Sequence, residues 1–322
     1  MSGTVLVLVD GQVLADGHGS TIADQHRNAE SLADGLSPVL ASDLRVAILH
    51  GNKPQVGFVL FRSEIASHVL HTIPLDVCGA DTQGATGYML SQAFMNVLRQ
   101  QQVRRSVMCV VTQTLVDASH PAGSMLTRAI GPWFDRDKAE LYRQTRGWKL
   151  VEEPGYGYRR AVPSLPAVEV IEIEGIRQLV ESGNIVIAGG GGGIPVVRNA
   201  QGDLEGIEAV VDTETVACLM ARQLKTDIWL MLVESDAKFI LSGLSTESGK
   251  CLSLEELDDI LRREAIDSKS VRTRLAAASE FLHSGGAQVV ITTLRKLPDT
   301  LANQSGLRIG SPNPPIELFR TA

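Results

Sequence analysis

Five consecutive glycines, Gly189 to Gly193, follow the apolar run Ile185-Val186-Ile187-Ala188 and are closed by Ile194-Pro195. Residues without a Cβ let the backbone turn through positive φ and bring bare N–H groups against a ligand, most usefully an anionic one. A flexible linker is the plain alternative, but linkers are flanked by Ser, Gln or charge, and this run sits between strand-like segments. A second loop, His50-Gly51-Asn52-Lys53-Pro54-Gln55-Val56-Gly57, closes the apolar segment 45–49. Loops at the carboxyl ends of parallel strands are where open α/β sheets bind ligands, which makes the position of this loop informative. His50 by itself reads as a satisfied core histidine. The turn Asp10-Gly11, which presents Gln12, ends a third apolar run at 5–9.

The elements around these loops alternate. Residues 5–9, 45–49 and 107–111 read as short, fully buried strands because they are continuous, apolar and bounded by turn signals. Between the first two, Ile22, Ala29, Leu32, Leu36, Val39 and Leu40 fall on one helical face, which makes a βαβ unit. A second helix carries Met89, Leu90, Ala93, Phe94, Val97 and Leu98. Residues 175–181 predict a helix and 185–188 a strand. Asp212 reads as the N-cap of a helix with Val216, Leu219, Met220 and Leu224 buried. Strands follow at 228–233, 289–293 and 306–309, with a helix at 271–283. This pattern predicts an α/β fold, a three-layer α/β/α sandwich on a mainly parallel sheet. Residues 117–166 lack strong periodicity and are rich in aromatic, proline and charged residues, which fits a protruding, lid-like subdomain.

The chain has 322 residues, 44% of them hydrophobic and 21% charged, with a net charge of −7. That balance argues for a globular protein handling small molecules and against nucleic-acid or membrane-surface partners, which need a basic face. No stretch approaches 18 apolar residues, and the N-terminus has no basic n-region, so a soluble, cytoplasmic protein is expected. Cys78, Cys109, Cys218 and Cys251 show no CxxC spacing and are read as buried free thiols. No His/Cys/carboxylate set has metal-ligand spacing.

Several ordered motifs together resemble carbamate kinase, of the amino-acid kinase family. They are His-Gly-Asn-x-Pro-Gln-Val-Gly at 50–57, Thr-Gln-Thr-x-Val-Asp at 112–117, Gly-Pro-aromatic-Phe at 131–134, Gly-x-Gly-aromatic-Arg-Arg at 155–160 and Gly-Gly-Gly-Gly-Ile-Pro-Val at 190–196. The resemblance spans nearly the whole chain, and matches in that order are far more specific than any one glycine motif. It implies the amino-acid-kinase fold and reversible phosphoryl transfer between ATP and carbamate, with Mg²⁺, in a homodimer. It also implies an acid- or carbamoyl-phosphate-binding lobe over residues 1–208 and a nucleotide-binding lobe over 209–322. Carried onto this sequence, Gly11, Gln12, His50, Gly51, Asn52, Gly190, Gly191 and Gly192 would hold the acid and its phosphate. Arg128, Arg274 and Lys53 would neutralise the transferred group, with Glu214 orienting those cations. Asp212, Glu234, Asp236 and Phe239 would sit on the nucleotide side. The chemistry is an in-line transfer without a covalent enzyme intermediate, so the protein contributes position and positive charge.

The sequence departs from the family pattern at those same positions. The first loop is Asp10-Gly11-Gln12 where the family has Gly-Gly-Asn; an uncompensated like-charge contact at ~4 Å costs about 4 kcal/mol at an effective dielectric near 20. Family lysines align with Arg128 and Arg274, and Asp-Lys-Asp becomes Asp212-Thr213-Glu214. A guanidinium is a wider fork than an ammonium. Lys53 adds a cation where the family has glycine. Two expectations follow and stay open at this point. Either Lys53 and the two arginines rebuild a phosphate cradle for carbamate or a related acid, or the chain is a catalytically silent ligand-binding or regulatory subunit, such as one of a carbamoyl-transfer system.

Overall fold

A computed structural model describes residues 3–14, 21–120, 126–153, 155–235, 244, 251–263, 266 and 268–311. Its centre is an eight-stranded sheet in the order Cys251–Leu252, Leu307–Gly310, Gln288–Thr293, Ile228–Val233, Thr4–Val9, Arg45–His50, Ile185–Ile187, Val107–Cys109. Every pairing is parallel except that of Gln288–Thr293 with Leu307–Gly310. The sheet runs unbroken from strands before residue 208 to strands after it, through the pairing of Val5 with Ile228 and Val7 with Leu230.

Period-two alternation divides the core between two faces. Val5, Val7 and Val9 pack with Leu32, Leu36, Leu90 and Phe94 from the Ile22–Leu40 and Leu75–Gln100 helices. Leu6 and Leu8 face the other way, toward Ile176, Met220, Leu257 and Phe281 from four further helices. These are the three layers that the alternating apolar runs predict.

One strand needs correction. The segment 107–111 was expected to be fully buried, but the strand is Val107–Cys109 at the edge of the sheet, and Met108 and Cys109 are exposed. Cys109 is therefore not a buried thiol, and Cys251 is only partly covered, whereas Cys78 and Cys218 are buried. The chain then changes sheet: Gln113–Val116 joins Leu204–Gly206, Ile194–Arg198 and Ala167–Val170 in a second, four-stranded sheet.

The stretch 117–166 has regular structure of its own. Leu126–Phe134 pairs antiparallel with Gly157–Leu165, which also pairs with Leu150–Glu153, and the helix Arg136–Arg146 packs on them. Phe134, Ala139 and Tyr158, with Tyr142 and Trp148 against them, form a small separate core. Arg146 ties this unit to the Lys53–Ala66 helix through an ion pair with Glu64 and a 2.7 Å bond to Ser67 Oγ. Its guanidinium lies 4.9 Å from the Tyr142 ring centroid. No helix among the described residues is long and apolar enough to cross a membrane.

Candidate active site

Because the central strands are parallel, their carboxyl ends deliver the loops Asp10-Gly11-Gln12, Gly51-Asn52-Lys53, Gly189–Gly193 and Glu234-Ser235 to one edge. Two of these tips cross backbone to backbone, and the glycine run meets the Asn52 side chain. A Cβ on Gly51 would lie 2.6 Å from the Gly11 nitrogen, and one on Gly191, at φ +70°, 2.2 Å from Asn52 Oδ1. Asn52 is itself held by a 2.8 Å bond from Nδ2 to Thr82 Oγ1. Gly51→Ala sets a methyl against backbone that cannot rotate away, so a loss of ~1–3 kcal/mol is expected, as for other overpacked sites. A fall in the urea midpoint at unchanged slope would show it.

The loops enclose a cleft of about 660 Å³. The Leu126–Phe134 strand of the small subdomain walls one side with Arg128, Ala129, Ile130 and Gly131. Among the described residues four cationic side chains line it, Lys53, Arg128, Arg159 and Arg274, against three carboxylates, Asp10, Glu214 and Glu234. The helices Lys53–Ala66, Thr213–Gln223 and Lys269–His283 all bring residues of their first two turns to it. Each helix N-terminus adds up to about half a positive charge from unpaired N–H groups. A second depression, of about 620 Å³ and lined by Met95, Leu98, Arg99 and Arg104, receives none of these loops.

Arg274 is the hub of the cleft. It is ion-paired with Asp10 Oδ2, and its Nε donates to Glu214 Oε1 at 3.1 Å. The three side chains are 13%, 18% and 10% exposed, in that order, so the contacts are shielded from water. Asp10 Oδ1 meanwhile accepts the Gln12 N–H at 3.1 Å. Asp10 is thus compensated, and the uncompensated repulsion feared from the sequence does not describe the chain at rest. Burial, and after it the neighbouring Asp212 charge, push the Glu214 carboxyl above its usual range; Arg274 and Lys53 pull it back. Lys53 is exposed at the mouth. Arg128 is ion-paired with Asp212, which also caps the Thr213–Gln223 helix by accepting the Thr215 N–H at 3.3 Å.

Several residues expected to face the ligand lie elsewhere. His50 is 1% exposed and sits under the glycine turn, where a Cβ on Gly190 would meet its ring at 2.7 Å. Gly190 and Gly192 do not line the cleft, whereas Gly191 does. The N–H groups of Gly189, Gly192 and Gly193 are taken internally, by Thr112 Oγ1 at 2.9 Å, Gly189 O at 2.9 Å and Gly190 O at 3.1 Å. A tight turn that satisfies its own amides has fewer left for an anion. Asp212 serves as cap and counterion and does not line the cleft. Asp236 and Phe239 lie outside the described residues. Residues not anticipated as site residues also line the cleft: Arg159, Ser270 and Phe58. Arg159 belongs to the 155–160 motif, donates from Nε to Gly131 O at 3.1 Å and stacks 4.8 Å from the Trp133 ring, so that motif was its available signal.

His50 also has a measurable consequence for stability. Its Nδ1 bonds the Gly51 carbonyl oxygen at 3.1 Å, an acceptor, so Nδ1 carries the proton of a neutral ring. Burial is the main cause that holds its pKa down to about 4 from 6.5. The unfolded chain therefore binds a proton below pH 6.5 that the folded chain refuses, so this contribution is full above pH 6.5 and is lost as pH falls toward 4. The linkage amounts to about 3 kcal/mol at most. His50→Gln should flatten that acid limb when urea midpoints are compared at pH 7 and pH 4.5.

The family comparison agrees with this geometry. A model described as the amino acid kinase family matches residues 9–293, a span that contains every loop and charged residue of the cleft. Carbamate kinase of Pyrococcus horikoshii is 34% identical over 314 residues, covering 96% of this chain and 99% of that protein. The chain belongs to the carbamate kinase family. At family level it is a carbamate-kinase-like phosphotransferase. Another member, the carbamate kinase-like protein YahI of Escherichia coli, is also 34% identical over 314 residues, with the same coverage. Among solved structures of the family, carbamate kinase from Giardia lamblia bound to AMP-PNP superposes with a TM-score of 0.85 at 28% identity, covering 96% of this chain and 98% of that one.

Proposed function

We propose that the cleft transfers a phosphoryl group between ATP and carbamate or a closely similar small acid. A carboxylate oxygen of the acid attacks the γ-phosphorus as the bond to ADP breaks, giving carbamoyl phosphate; the reverse makes ATP. The observation that carries this reading is the convergence, among the described residues, of four cations and three helix N-termini on one crevice at the carboxyl ends of the central strands. Such a site supplies position and positive charge, the two things an in-line transfer asks of a protein. Arg128, Arg274 and Lys53 would face the transferred group, and Glu214 would orient Arg274. The Gly11, Gln12 and Asn52 loops would hold the acid and its phosphate, with Glu234 beside the nucleotide.

Among the described residues no group of three or more His, Cys, Asp or Glu could cage a metal ion. Asp10, Glu214 and Asp212 are each engaged by arginine. These residues suit a Mg²⁺ that arrives on the nucleotide phosphates and keeps much of its water, with Glu234 a described carboxylate of the cleft not so engaged. When bound, that ion would screen phosphate charge. A homodimer in the cytoplasm, without nucleic-acid or membrane partners, goes with this reading; it rests on the family resemblance and the net charge of −7.

One observation favours a second reading, a catalytically silent ligand-binding or regulatory subunit, such as one of a carbamoyl-transfer system: Arg274 is already bound by two carboxylates. A panel of small acids with MgATP separates the readings. Carbamate should release ADP fastest; a tenfold preference for another acid would replace the acceptor. Calorimetric binding with no ADP release from any acid would favour the silent subunit.

A further inference from the structure

Asp10 has a role in the cleft that the departure from the family pattern does not by itself reveal. Its carboxylate holds two donors that point toward one place: the backbone N–H of Gln12, through Oδ1 at 3.1 Å, and the guanidinium of Arg274, through Oδ2. A backbone N–H from the Gly11–Leu14 helical turn at a strand end, together with an arginine from the second turn of a helix, is what an oxyanion ligand would use. Gly11 and Gln12 beside it, and Gly51 opposite, also line the cleft, so the occupied donors lie inside the ligand space and not behind it.

We infer that Asp10 is an internal anion that determines which ligands the cleft accepts: an oxyanion entering here must exchange with the Asp10 carboxylate for Arg274 and the Gln12 N–H. A trianionic or dianionic phosphate can compete in such an exchange, since it offers more charge and more acceptor oxygens than a carboxylate. A small monoanionic carboxylate cannot. The cleft is therefore selective for phosphate-bearing ligands over simple carboxylates at this position, and its affinity for phosphate is held down by the residue that confers the selectivity. Glu214 steadies the exchange, because it keeps Arg274 in place by its own 3.1 Å bond when Asp10 lets go.

This inference rests on the part of the proposed function that places an anion in the cleft, and it is tested by binding alone, so that failure of turnover does not decide it. Inorganic phosphate and acetate are titrated by calorimetry against the full chain, Asp10→Asn and Glu234→Gln. Asp10→Asn releases the charge from Arg274 while an amide oxygen still accepts the Gln12 N–H; it should raise phosphate affinity by about tenfold, the scale of a charge-assisted hydrogen bond gained. Acetate, which competes poorly with the Asp10 carboxylate, should bind Asp10→Asn more tightly than the unaltered chain. Glu234→Gln removes the same charge from the cleft without freeing either donor, and should raise phosphate affinity by less than Asp10→Asn does.

Should Asp10→Asn fail to fold, judged by its near-UV spectrum, Asp10→Ser is read in the same way. Asp10→Gly, which frees the Gln12 N–H as well, should exceed the asparagine variant. Unchanged or weaker phosphate binding in the folded Asp10 variants would overturn the inference. An equal gain from Glu234→Gln would overturn it too, because a general charge effect would then suffice.

Discussion

Arg274→Ala should lower ATP formation from carbamoyl phosphate, ADP and Mg²⁺ by about 10³-fold, the scale on which arginines facing a transferred phosphoryl group act. Two separate losses contribute. The cleft gives up the cation best placed to meet the group, since Arg274 sits in the second turn of the Lys269–His283 helix with only 13% of its side chain exposed. Asp10 and Glu214 are then left facing the same space without their shared counterion. Removing one partner of a fully buried ion pair costs about 3–5 kcal/mol; the cost should be lower here because all three side chains retain some solvent contact. Arg274→Lys separates the two effects. It restores the charge without the fork, so stability should largely return while activity recovers only in part. Equal ATP formation by Arg274→Ala and the unaltered chain would reject the role given to this residue.

The second large effect runs in the opposite direction. Asp10→Gly, Thr213→Lys and Glu214→Asp together should raise ATP formation by about 10²-fold or more, a factor that misplacing a group by ~1 Å can account for alone. Asp10→Gly frees Arg274 and the Gln12 N–H. Thr213 lines the cleft at the start of the Thr213–Gln223 helix, so a lysine there points a new ammonium into it. Glu214→Asp shortens the stem that positions Arg274 and so resets where its guanidinium sits. The three positions share one charge network, so single changes should not add up to the triple effect. An unchanged rate in the folded triple variant would mean that these residues do not restrain the chemistry.

The layers of the fold were legible because buried parallel strands leave continuous apolar runs, as at 5–9, 228–233 and 289–291 within the expected 289–293 strand. Position within a sheet leaves no such trace. Met108 and Cys109 are as apolar as their neighbours, yet their strand lies at the edge. The subdomain was hard to read for another reason: only Ala139 of the Arg136–Arg146 helix is buried, so no apolar stripe advertises the helix. At the site, the sequence could name the charges but not their pairings. Asp10 and Arg274 are 264 residues apart, and nothing local says that one neutralises the other. The bond from the Gln12 N–H to Asp10 is different, because an Asp followed two residues later by a backbone donor is a turn signal that the sequence does contain.

The most direct test is the simplest: the unaltered chain is mixed with carbamoyl phosphate, ADP and Mg²⁺, and ATP is followed by a coupled assay. Continuous ATP formation that depends on carbamoyl phosphate and disappears in Arg274→Ala is the predicted result. No ATP above background, under conditions where calorimetry shows both ligands bound, would contradict it.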